Sequence, residues 1–177
     1  MTKTRLSFID SCLRLQPTYL DAESVPVIPS TRPSYDDADP SGVSFFRTLV
    51  SNEVDLSNLT LPRSFFCRSD IVEANFENSD LSESTLCWND FSDVNFSFTD
   101  LQGADLRASD FARCDFRSAD LRGADLRQST FCDCLFDMAL LDGAILTREE
   151  GAKLALSSTQ LAGIAWTNDP GPEPGGG

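Results

Sequence analysis

Residues 99–128 read Thr99-Asp100-Leu101-Gln102-Gly103, Ala104-Asp105-Leu106-Arg107-Ala108, Ser109-Asp110-Phe111-Ala112-Arg113, Cys114-Asp115-Phe116-Arg117-Ser118, Ala119-Asp120-Leu121-Arg122-Gly123, Ala124-Asp125-Leu126-Arg127-Gln128. Each block of five carries Asp at its second place and Leu or Phe at its third. The same phase runs outward in both directions, from Val54 to Arg148, as nineteen blocks without an insertion. The third place is apolar throughout, from Leu56 to Leu146. The first is mostly Ala, Ser, Thr or Cys, and the second is usually Asp or Asn.

A period of five fits neither a strand, which alternates every two residues, nor a helix of 3.6 residues per turn. A short extended piece followed by a corner does fit, with places one and three facing inward. The third-place side chains also recur in kind at every fourth block. Phe91, Phe111 and Phe131 form one column, and Phe76, Phe96, Phe116 and Phe136 the next. Leu81, Leu101, Leu121 and Leu141 form a third, and Leu86, Leu106, Leu126 and Leu146 the fourth. Four blocks per coil, with like stacked on like at strand spacing, give a rod of roughly 23 Å.

The blocks resemble the A-(D/N)-L-x-x signature of the pentapeptide-repeat family over residues 54–148. That resemblance implies an all-β fold, a right-handed quadrilateral parallel β-solenoid with four pentads per coil. Ser44-Phe45-Phe46-Arg47 precedes Ser64-Phe65-Phe66-Cys67 by four whole blocks, so the solenoid is expected over 44–147. Its first coil should be irregular, because Ser51 would fall at a third place. Residues 1–43 are a non-repeat segment interrupted by five prolines, with helix or strand left open over Leu6–Leu15.

The apolar end of a solenoid needs a cover. Thr147-Arg148-Glu149-Glu150 reads as a capping box that starts a short helix over about 148–156. Leu154 and Leu156 are available to close the last coil, Ser157 and Ser158 to end the helix, and Gln160–Trp166 to fold back. The cap is thus 148–166, and 167–177 a Pro/Gly tail expected to be disordered.

The 177 residues carry 28 Asp and Glu against 14 Lys and Arg, a net charge of −14, and no His. The lack of His excludes His-based nucleophilic sites and His-ligated zinc. The acidity argues against direct nucleic-acid binding and against an anionic membrane surface. No apolar run reaches the ~18 residues of a membrane span. Met1–Leu15, broken by Asp10 and Arg14, is not a signal peptide. A cytoplasmic, bacterial protein with free thiols is expected. No catalytic constellation, cofactor motif or metal-ligand spacing stands out, and Cys132 and Cys134 alternate out and in. Cys67 and Cys87 are expected to stack on the outside, and Cys114 and Cys134 to fill the core.

Between Arg68 and Arg107 there is no Lys or Arg, and nine acids follow one another. Glu73, Glu77, Glu83 and Asp93 lie outside the second place and are the better candidates for partner contact, with Asp80, Asp90 and Asp100 beside them. The competing role for a second-place Asp is local, accepting a backbone N–H at the corner. Trp88 falls outward among these acids and suits an aromatic anchor, unless the N-terminal segment packs over it. Phe65 and Phe98 face outward by the same count, with the same alternative. Late in the rod the outward residues turn apolar, at Leu135, Met138, Leu140 and Ile145. Family resemblance implies a homodimer through this C-terminal end. The alternative is that the C-terminal segment folds over it.

The expected function is binding of a basic protein partner without catalysis. The net charge of residues 54–147 approaches the density of duplex DNA, about one charge per 1.7 Å. Resemblance to the quinolone-resistance members implies nucleic-acid mimicry and protection of DNA gyrase or topoisomerase from a poison or toxin. The uninterrupted repeat departs from the projecting loops of several of those members. Immunity to one cognate bacterial toxin, and a protein scaffold, are the alternatives.

Overall fold

The computed structural model describes residues 44–46, 49–50, 55–169 and 171. Expectations for residues 1–43, for Ser51 and for the tail beyond Gly171 lie outside the described residues. The chain forms β1 (Ser44–Phe46), β2 (Leu49–Val50), β3 (Phe65–Cys67), β4 (Asp70–Val72), β5 (Asp90–Ser92), β6 (Asp110–Ala112), β7 (Thr130–Cys132), β8 (Ile145–Thr147), α1 (Arg148–Gly151), α2 (Ser158–Gly163) and β9 (Ala165–Thr167). They wind into a parallel β-solenoid of about 6 turns.

Four walls follow from the pairing. Second-place residues bridge one coil to the next through Asp55, Asn75, Asn95, Asp115 and Leu135 on the first wall. Thr60, Asp80, Asp100, Asp120 and Leu140 mark the second wall, and Phe65, Thr85, Asp105, Asp125 and Ile145 the third. The fourth is a continuous five-stranded sheet in the order β2-β4-β5-β6-β7.

The third-place side chains fill the interior as their columns require. Phe91, Phe111 and Phe131 stack nearly parallel, with ring centroids 4.8 and 4.9 Å apart. Phe76, Phe96, Phe116 and Phe136 stack at 5.0 to 5.3 Å. The two columns meet edge to face, as at Phe111 and Phe116, 5.5 Å apart. Each such contact contributes about 0.5–1.5 kcal/mol beyond burial.

First-place residues are small for room and polar for a reason. Their side chains donate to carbonyls of the preceding coil: Ser79 to Leu56 at 2.6 Å, Thr99 to Phe76 at 2.8 Å and Ser129 to Leu106 at 2.7 Å. Fifth-place residues make the corners. Every one from Asn58 to Gly143 has positive φ, yet only Gly103, Gly123 and Gly143 are glycine. The turn closes through bonds such as Ala104 N–H to the Leu101 carbonyl, 3.1 Å. As in a type II turn, the third of the four residues takes the left-handed conformation.

Two expectations are corrected. The first coil is one residue longer than four whole blocks, pairing Ser44 with Phe65 and Val50 with Ile71. The extra residue puts Val50, fully buried, into the core column where a register of four whole blocks would have put Ser51. The capping box forms as read, Thr147 N–H donating to Glu150 Oε2 at 2.8 Å. The helix, however, is one turn, ending at Gly151. Leu154 and Leu156 both pack against the core, and residues two apart cannot share one face of a helix.

Ser157 then caps α2 rather than ending α1. Gln160 closes this second capping box and also donates to the Phe136 and Ala139 carbonyls at 2.7 and 3.0 Å, covering the end of the last full coil. β9 pairs with β8 as the final rung.

Candidate protein-binding surface

Two kinds of outward Asp stand on this rod. On the first three walls a second-place Asp or Asn accepts the N–H two residues on, as Asp80 does from Ser82 at 3.0 Å and Asp100 from Gln102 at 3.0 Å. This is the local role expected for such residues. Where the residue two on is Arg, the carboxylate is also neutralised. Arg107, Arg117, Arg122 and Arg127 lie 2.6–2.7 Å from Asp105, Asp115, Asp120 and Asp125. The Arg122 hydrogen bonds hold the Asp120 carboxyl below its usual value. Arg113 pairs with Asp93 of the previous coil at 2.6 Å. All five arginines of the 107–127 stretch are thus engaged by carboxylates.

The fourth wall differs. Asp70, Asp90 and Asp110 stand in register on β4, β5 and β6. The residues two on are Val72, Ser92 and Ala112. Asp110 accepts the Thr130 hydroxyl, and no described Lys or Arg lies within ion-pair distance of the three carboxylates. Burial, then the charges of Asp70 and Asp110, raise the Asp90 carboxyl above its ordinary value. Like charges directly opposite one another on neighbouring strands destabilise a sheet, so the ladder costs the fold stability.

Trp88 sits at the corner beside this wall, 37% exposed, with the Arg68 guanidinium 5.9 Å from its ring centroid. Glu73 and Asp93 occupy the opposite corner. The other expected partner residues lie elsewhere: Glu77 on the first wall, Asp80 and Asp100 on the second, and Glu83 at the corner after them. The seven acids therefore do not share one face. Asp70 and Asp110, which do share a wall with Asp90, were not singled out in sequence. Their signal was the spacing itself: a second-place Asp recurring in every fourth block with no Arg two places later.

Leu135 and Leu140 are each 45% exposed and Met138 is 79% exposed, so the cap leaves them uncovered. Ile145 instead pairs with Ala165 of β9. Cys67 and Cys87 stack as expected but are buried, which corrects their expected exposure on the outside. Their sulfurs are 3.7 Å apart. The Cys87 hydrogen bond brings the Cys67 thiol down to about 7 against the raising effect of burial, while Cys87 is pushed up. Among the described residues, no three His, Cys, Asp or Glu side chains converge to hold a metal ion. No described helix is long and apolar enough to cross a membrane.

A family model for pentapeptide repeats matches the chain in 8 copies, over residues 52–86, 90–128 and 109–148. The chain belongs to that family. Among solved structures it is similar to HetL, a pentapeptide-repeat protein involved in heterocyst differentiation regulation from the cyanobacterium Nostoc sp. strain PCC 7120. The two share 24% identity and a TM-score of 0.56, over 58% of this chain and 48% of HetL. The chain thus spans about half of HetL's length. It is also similar to QnrB1, a plasmid-mediated fluoroquinolone resistance protein, at 14% identity and a TM-score of 0.56, over 76% of this chain and 69% of that one. At these identities the likeness is one of fold. No curated protein sequence matches the chain.

Proposed function

We propose that this protein is a non-catalytic binding protein that presents the carboxylates of its fourth wall to a basic protein surface, in place of nucleic-acid phosphates. The observation that carries the reading is the in-register ladder of Asp70, Asp90 and Asp110, whose carboxylates have no described Lys or Arg within ion-pair distance. The first three walls neutralise their acids with arginine wherever the chain supplies one. A wall that keeps its charge at a cost in stability suits an external cation. Trp88 at the adjoining corner supplies an aromatic anchor of the type that dominates binding energy. Proteins that handle DNA carry such basic surfaces, and the fold shared with the resistance protein QnrB1 supports a DNA gyrase or topoisomerase as the partner class.

The test is gyrase supercoiling and quinolone-stabilised cleavage with added protein at about 50 and 200 mM salt. The expected effect appears at micromolar protein, weakens steeply with salt and is lost in a variant carrying Asp70→Asn, Asp90→Asn and Asp110→Asn. No effect at high micromolar protein removes the gyrase assignment. A salt-insensitive complex with one co-purified toxin identifies immunity instead.

A further inference from the structure

The corner between the first and second walls carries an apolar notch unrelated to the carboxylate ladder. Its fifth-place residues are Asn58, Asn78, Phe98, Ser118 and Met138, all at positive φ. Phe98 is 60% exposed and Met138 79%. They stand two coils apart, roughly 10 Å at strand spacing, with Ser118 between them. Together with Leu135 and Leu140, they are four of the seven large apolar residues that the described surface exposes. A concavity runs between them, rimmed by Glu77, Asp115, Arg117 and Asp137.

Nothing in the fold calls for large apolar side chains here. Asn and Gly take the left-handed conformation at less cost than Phe or Met, and exposure forfeits the gain from burial. The rim sets the sign of an occupant. Arg117 is held bidentate by Asp115, with nitrogens 2.9 and 2.6 Å from its oxygens. Glu77 and Asp137 remain as net negative charge on either side.

From the spacing and the charge we infer that this notch docks a cationic segment of a partner protein, one apolar side chain between Phe98 and Met138 and flanking Lys or Arg on the rim. The inference does not depend on the fourth wall.

The protein has 2 methionines, Met1 and Met138. Labelling with 13C-methyl methionine therefore gives a reporter inside the notch, assigned with Met138→Leu. The probes are the peptide Gly-Arg-Lys-Phe-Arg-Lys-Gly, its Phe→Ala form, and a form with Glu in place of every Arg and Lys. Binding is followed by the methyl shift and by fluorescence anisotropy. The first peptide is expected to move the Met138 methyl through its ring current, and the other two to bind at least about tenfold more weakly. Phe98→Ser, which copies the Ser118 corner, should lower affinity about tenfold with the melting temperature unchanged or raised. The triple Asn variant of the fourth wall should retain the methyl shift. Binding without a Met138 shift, equal binding by Phe98→Ser, or no binding at millimolar peptide overturns the assignment. So does a Met138 shift that grows with protein concentration in the absence of peptide, which would give the corner to a second copy of the chain.

Discussion

Replacing Asp90 with Asn should make the protein more stable. The carboxylate stands between Asp70 and Asp110 on neighbouring strands. At a side-chain separation of about 5 Å, set by strand spacing, two unit charges in water repel by about 0.8 kcal/mol. Two neighbours give about 1.7 kcal/mol, and a Debye length of about 8 Å at 0.15 M salt reduces this to about 0.9 kcal/mol. Asn keeps the shape and removes the charge, so a gain of about 1 kcal/mol is expected at pH 7. The sign of the pH dependence follows from the raised Asp90 carboxyl, lifted by burial and by its two neighbours. The folded state holds this proton more tightly than the unfolded chain does, so the residue opposes folding while ionised and stops doing so as it protonates. The advantage of Asp90→Asn is therefore full at neutral pH and closes as the pH falls through that raised value.

The assay is urea unfolding followed by circular dichroism. The midpoint should rise with an unchanged m-value, and the rise should shrink at about 1 M NaCl, where the Debye length is about 3 Å. A variant that is neutral or less stable at low salt refutes the ladder. So does a gain that such high salt leaves intact. Under the proposed function the same substitution weakens partner binding while it strengthens the fold.

Three further outcomes follow from the interior and the corners. Phe111→Ala removes a ring stacked between Phe91 and Phe131 and should cost about 3–5 kcal/mol, read as a fall in the urea midpoint. Asn89→Ala removes two buried hydrogen bonds, from the Ser69 N–H to Asn89 Oδ1 at 2.9 Å and from Asn89 Nδ2 to the Phe66 carbonyl at 2.8 Å. With about 0.5–1.5 kcal/mol for each bond lost, the same measurement should show a loss of about 1–3 kcal/mol. Ala108→Gly should stabilise by about 0.5–1 kcal/mol and Gly123→Ala should do the reverse, because both corners have positive φ. A Cβ on Gly123 meets nothing within 4 Å, so its thermal shift reports the backbone alone.

The walls and core columns were legible because the repeat states the same choice nineteen times. A Phe column that recurs at every fourth block leaves one way to stack. Where the choice is stated once, the sequence is weaker. The extra residue, which falls between Val50 and Asp55, cannot be counted from the Ser-Phe-Phe match, which favours a step of four whole blocks. Burial of Val50 in place of Ser51 decides it, and burial is a property of the assembled coil. Ser157-x-x-Gln160 is a capping box in its own right, but beside the stronger Thr147–Glu150 box it read as the end of a helix. Cys67 and Cys87 follow the outward count of the repeat and are buried all the same, since the period fixes direction and not what lies over it.

The acids show what the repeat conceals. By its place in the repeat every second-place Asp looks alike, and Glu73, Glu77, Glu83 and Asp93 attract notice because they break the rule. The structure divides the second-place acids by what each touches. On three walls the carboxylate closes the corner it stands on, so replacing Asp105 or Asp120 would test the fold before it tested any partner. On the continuous fourth wall the strand takes the backbone bonds, and the Asp70 and Asp90 carboxylates are left with no described hydrogen-bond or ion-pair partner. Asp110 accepts one hydroxyl, from Thr130. A charge can thus be removed from that wall without opening a corner. On this rod it is the experiment that separates binding from folding: stability rises on losing Asp90, whereas losing Asp120 and its bond to Arg122 lowers it.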